Sequence, residues 1–72
     1  METYNERSGW RIIAANPKGL NIVHQKKGET EKMTPCISLW ENDTDYLLSF
    51  KNDSHIVLEK ADNVSIRFTK VV

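Results

Sequence analysis

The sequence has one cysteine, Cys36, so it can form no internal disulfide. It has no Cys-x-x-Cys pair, which argues against a structural zinc site. It has no apolar run longer than a few positions, so no segment reads as a membrane-spanning helix. It has no surplus of either charge: ten Lys and Arg balance ten Asp and Glu. That balance removes bulk attraction to nucleic acid or to an anionic membrane. Nor does residues 1–7 carry the basic start and apolar stretch of a signal peptide. With the lone thiol, this points to a cytoplasmic, reducing setting.

What is present is a rhythm of short apolar-alternating runs separated by turn clusters, with no long helical period. Usage is ordinary for a folded domain, at 39% hydrophobic and 28% charged. The expected organisation is a lead-in at 1–8 and one β domain at 9–72. A chain of 72 residues holds one core and buries only about 60% of its unfolded surface. Without disulfide or metal, the ways left to gain stability are rolling the sheet toward a barrel or oligomerising.

The sharpest turn signal is Asn16-Pro17-Lys18-Gly19. Pro17 presets φ for a type I turn, and Gly19 can take a positive φ. A hairpin is therefore expected there, joining strands at 10–15 and 20–25. In the first, Trp10, Ile12 and Ala14 share the inward face; in the second, Leu20, Ile22 and His24 do. A turn at Lys26-Lys27-Gly28-Glu29 leads to a strand at 31–40 with Met33, Ile37 and Leu39 on one face. Pro35 has no N–H for a ladder, so this strand is broken there or lies at an edge. Strands follow at 46–51 (Tyr46, Leu48 and Phe50 together), 55–60 (Ile56 and Leu58 inward) and 64–72 (Val64, Ile66 and Phe68 inward). Asn52-Asp53 and Ala61-Asp62-Asn63 separate them. Thr34-Pro35 could instead cap a helix. The fold class is thus mainly β: a small antiparallel barrel or curled sheet of five to six strands, with room for one short helix within 35–50.

The other face is not fully polar: Ile13, Val23, Leu47, Val57 and Val71 fall opposite the main apolar set. Such residues are scattered surface aliphatics, the second covered face of a curled sheet, or a contact patch for another chain.

No constellation supports catalysis. Cys36 with His24 or His55 could be a thiol and base, but no catalytic signature surrounds Cys36. The same three residues match no zinc spacing. Asp43-Thr44-Asp45 lacks the glycine and the later bidentate Glu of a calcium loop. Asn42-Asp43-Thr44, Asn52-Asp53-Ser54 and Asn63-Val64-Ser65 match the glycosylation pattern and read as polar turns. The sequence therefore implies a non-enzymatic protein without cofactor or metal.

Two binding readings remain. The first is a protein-binding regulator or inhibitor that uses an acidic aromatic loop: Trp40, Glu41, Asp43, Asp45 and Tyr46. Trp and Tyr are favoured anchors, and the acids steer toward a basic partner. The alternative is a small β barrel that binds nucleic acid through Arg11, Lys18, Lys26, Lys27 and Lys32. A homo-oligomer is compatible with either, since sheet edges invite strand addition.

Overall fold

The computed structural model describes residues 9–72; the expected lead-in at 1–8 lies outside them. Five strands form one antiparallel sheet: β1 (Arg11–Lys26), β2 (Lys32–Glu41), β3 (Asp45–Ser49), β4 (His55–Glu59) and β5 (Val64–Lys70). Their lateral order is β4-β3-β2-β1-β5. A 3-10 turn (Lys60–Asp62) joins β4 to β5. The expected mainly β fold is therefore found. A helix within 35–50 is not: that segment is taken up by β2 and β3, whose Leu39–Leu48 pair is sealed in the core.

The topology forces the sheet to curl. β4 and β5 sit at opposite edges, four strand spacings apart, or about 19 Å in a flat sheet at ~4.8 Å each. The chain crosses from Glu59 to Val64 in five steps, which reach at most about 18 Å fully extended. A helical turn inside the link shortens it further. Only a curled sheet brings the edges close enough. The link is tied down at both ends: Lys60 N–H donates to Thr44 O at 2.9 Å, and Lys27 N–H donates to Asn63 O at 3.2 Å. Asn63 takes a left-handed φ of 56° to release the chain into β5.

The expected hairpin at Asn16-Pro17-Lys18-Gly19 does not form. β1 runs straight through these residues, and β2 pairs with both of its halves. Ala15 faces Ser38 and Leu20 faces Cys36, so the Asn16–Gly19 segment is an irregular bulge rather than a reversal. The residues that favour a turn also favour a bulge, and here side-chain bonds settle which. Asn16 Nδ2 donates to Gly19 O (3.0 Å) and to Val71 O (2.9 Å), while Asn16 Oδ1 accepts from Lys18 N–H (3.3 Å). The bulge is thus closed on itself and pinned to the chain beyond β5. Gly19 has φ +118°, a conformation L side chains rarely adopt.

The core is a cluster of Ala14, Leu20, Ile22, Cys36, Leu39, Leu48 and Leu58. Tyr46, Phe50, Val64, Ile66 and Phe68 pack against it. Leu20, Ile22, Leu39 and Leu48 are fully sealed. The inward sets expected for Leu20, Ile22 and His24, for Tyr46, Leu48 and Phe50, and for β5 agree with this. Three expectations do not. A register shift between Ile12 and Ala14 sends Ile12 out, while Ala14 stays buried. Met33 is exposed and Cys36 is buried, because the inward parity of β2 switches between Cys36 and Leu39, opposite the β1 bulge. Ile56, expected inward, stays partly exposed on the edge strand β4.

The remaining turns follow their chemistry. Glu29 N–H bonds Lys26 O at 2.9 Å, with Gly28 at φ +84° as a type II turn requires. At the β3–β4 hairpin, Asp53 N–H bonds Phe50 O and Asp53 takes φ 69°. Asn42 Oδ1 accepts from the N–H groups of Thr44 and Asp45, and Asn52 Oδ1 accepts from that of Ser54. These asparagines therefore serve as side-chain turn makers, as the sequence reading has it. Pro35 lies beyond the β2–β3 ladder, which covers only Ser38–Glu41 of β2, so it occupies a local edge.

Candidate functional site

The loop expected to bind a partner joins β2 to β3, and the strands sort its residues onto two faces. Glu41 pairs with Tyr46, and that row continues to Leu58 on the inner side. Lys60 Nζ lies 3.0 Å from Glu41 Oε1 and 4.9 Å from the centre of the Tyr46 ring. Glu41 is thereby neutralised within the fold, and Tyr46 packs on the core. Trp40 points the other way. It pairs with Ile12 on one side and Leu47 on the other, and Leu47 pairs with Val57. Ile12, Trp40, Leu47 and Val57 thus form one apolar row across four strands, on the face opposite the core. Ile12 is 54% and Val57 46% exposed, whereas Leu47 between them is 1% exposed. Trp40 is half-buried, and its indole Nε1 donates to Ser38 Oγ at 3.0 Å.

Beside this row stands a feature that spacing along the chain could not disclose. Asp45 and Glu59 are direct cross-strand partners. By the two-residue alternation of strands they share the face of Leu47 and Val57. Like charges in directly opposed positions repel. Arg11, Lys26, Lys60 and Arg67 pair with other acids, and neither Asp45 nor Glu59 has an ion pair among the described residues. Asp45 Oδ2 accepts only from Thr44 Oγ1, at 2.8 Å. Asp43, at the loop tip, has a side chain 95% exposed, with Arg11 Nη1 3.8 Å away. So two of the expected residues, Trp40 and Asp45, share the outer face, while Asp43 stands at the loop tip beside Arg11, whose ladder partner is the inner-side Glu41. Glu41 and Tyr46 belong to the inner side. Glu59, Ile12, Leu47 and Val57 join the surface through pairing alone; a period-2 reading puts Leu47 and Val57 on the second face but cannot align them.

The alternative basic set is spread along β1. Arg11 is at its start, beside Asp43. Lys18 sits in the bulge. Lys26, at its end, lies 3.7 Å from Asp62, and Lys27 follows in the turn. Lys32 opens β2 opposite His24. Only the last three share one end of the sheet.

The groups weighed for catalysis are held apart. Cys36 is buried against Leu20, and His24 lies four residues further along β1, about 13 Å away. Burial pushes the Cys36 thiol up from its usual range, against the opposing hydrogen bond to Ser38 O. The thiolate is thus disfavoured, the reverse of what a nucleophile needs. His24 is buried with Nε2 2.8 Å from Thr34 Oγ1. Burial lowers its pKa, and the charges of Lys32 and Lys26 lower it further. His55 pairs with Ser49 on the outer face of β4. Among the described residues, no group of three or more His, Cys, Asp or Glu is placed to hold a metal ion. No described helix is long and apolar enough to cross a membrane. Compared with known proteins, the chain matches no family model, no curated protein and no solved structure.

Proposed function

We propose that this chain is a non-enzymatic protein-binding module, a regulator or inhibitor that covers a basic patch on its partner. The contact surface is the Ile12–Trp40–Leu47–Val57 row with Asp45 and Glu59 along its border and Asp43 at the nearby loop tip. The observation that carries this reading is the Asp45–Glu59 pair: two carboxylates set opposite each other, with no ion-pair partner among the described residues, beside half-exposed aliphatics. Such an arrangement is unfavourable in the free protein and becomes favourable against Lys or Arg of another chain. The half-buried indole of Trp40 and the flanking aliphatics supply the apolar contact. Two acids and a small apolar row suit an interface in which charge sets orientation and encounter rate.

The test compares the partners retained by the immobilised protein with those retained by Glu59→Lys and by Asp45→Lys. The expected result is a basic partner retained by the parent, lost from both variants, and released by moderate salt. Retention of the same partner by both variants overturns the reading. Release by a short oligonucleotide with direct oligonucleotide binding, abolished by reversing Lys26 and Lys27, would put the nucleic-acid alternative in its place.

A further inference from the structure

The geometry points to a second site, at the other end of β3 and of opposite sign: the groove between the Asn16–Gly19 bulge and the β3–β4 turn receives a short extended acidic peptide segment. The groove is shallow and open, with a volume of ≈ 510 Å³, within the range of small-ligand pockets. Pro17, Pro35, Ile37 and Phe50 supply its apolar lining. Its charged lining groups among the described residues are Lys18 and Lys51, both exposed. Among the described residues no carboxylate lines it, although acids and bases are equal in number over the chain. An apolar side chain flanked by carboxylates complements that lining.

An independent feature of the backbone favours a peptide. The β2–β3 ladder begins at the Ser38–Ser49 pair, so among the described residues the part of β2 before Ser38 faces no strand on the β3 side. An open strand edge beside side-chain pockets is how extended segments add to a sheet. Pro35 contributes no N–H, which limits the addition to a short stretch. Single-stranded nucleic acid is less well served. It needs aromatic platforms on which successive bases stack. Phe50 is the only aromatic in the lining among the described residues, and it packs against the core.

The site stands apart from the Asp45–Glu59 surface, about 16 Å away along β3, and the two readings can fail separately. The probe is an N-acetylated, fluorescently labelled peptide of sequence Glu-Leu-Asp-Val-Glu-Leu-Asp. Its controls are the same peptide with lysine at every acid and a short oligothymidylate. Anisotropy gives affinity, and amide NMR shifts of the labelled protein give location. The acidic peptide is expected to saturate, with shifts clustered at Lys18, Ile37 and Phe50 to Ser54. The double variant Lys18→Glu, Lys51→Glu should lose about tenfold or more in affinity with an otherwise unchanged spectrum, since both side chains are exposed. Equal binding of the lysine peptide, shifts elsewhere, undiminished affinity of the variant, or no saturation would each overturn the proposal. Oligothymidylate binding at the same residues, without peptide binding, would assign the groove to nucleic acid instead.

Discussion

On the inner face of the sheet Leu20, Ile22, Leu39 and Leu48 are sealed from solvent, whereas on the outer face Ile12 and Val57 remain about half exposed around a buried Leu47. Both faces are built from aliphatics in register. They differ in what continues the pattern. The inner rows are capped by β5, whose Val64, Ile66 and Phe68 close over the core through the curl. Among the described residues, the outer row is flanked on β3 and β4 by polar pairs only, Asp45–Glu59 on one side and Ser49–His55 on the other. The difference teaches that Ile12, Leu47 and Val57, though opposite the core, are not isolated surface aliphatics of the kind Met33 is. They belong to a row whose members come from four strands.

The contrast is broken most forcefully from the inside. Leu39→Ala should lower unfolding free energy by about 2–5 kcal/mol, the cost of a core cavity. A domain of this length holds only about 4–11 kcal/mol in all. Val57→Thr should change it by no more than ~0.5 kcal/mol. Urea titrations of both variants measure the difference; equal losses would make the outer row a second core. Next comes Gly19→Ala. The added methyl lies 3.4 Å from Val71 Cγ2, and the positive φ strains it regardless of space. A loss of about 1–3 kcal/mol is expected, read as a lower thermal midpoint.

His24 sharpens the comparison by pH. Its folded pKa lies below the ordinary value of 6.5. Between the two values the unfolded chain binds the extra proton, so stability rises with pH there. The contribution of neutral His24 is complete above the unfolded pKa and is lost as pH falls toward the folded one. Thermal midpoints should therefore drop as pH is lowered below about 6.5, and His24→Gln should flatten that slope. An unchanged slope would show that other groups carry the acid sensitivity. The smallest effect is a gain. Glu59→Lys converts the repulsive Asp45 pairing into an attractive one and should stabilise the protein by about 0.2–1 kcal/mol. A stabilised variant that has lost its partner would show that the outer face is tuned for contact at some cost to the fold.

Much of this architecture is legible in residue order. Alternation places Leu20, Ile22 and His24 inward, and likewise Tyr46, Leu48 and Phe50. Gly28 and Asn52-Asp53 mark real turns. Asn16-Pro17-Lys18-Gly19 misleads, because the backbone shapes that reverse a strand also interrupt one. The decision rests on Val71, more than fifty positions away, whose carbonyl receives the Asn16 amide. The parity switch of β2 is hidden for the same reason: it answers the β1 bulge across the ladder. Around the β2–β3 loop, Trp40, Asp43 and Asp45 stand out locally as an aromatic beside acids. Glu59 does not, since only the register of β3 and β4 sets it against Asp45.

The crossing from β4 to β5 has a kinetic consequence. β1 is the longest strand, yet one of its flanks is occupied only when Leu20 meets Lys70 and Lys26 meets Val64. Contacts between such distant parts of a chain form slowly, and two-state β proteins dominated by them refold in milliseconds to seconds. Stopped-flow mixing monitored by tryptophan emission should place this protein in that range. Until β5 docks, a nascent or refolding molecule presents an unpaired ribbon to every extended chain around it. The speed of that last step sets how long it is open to aggregation.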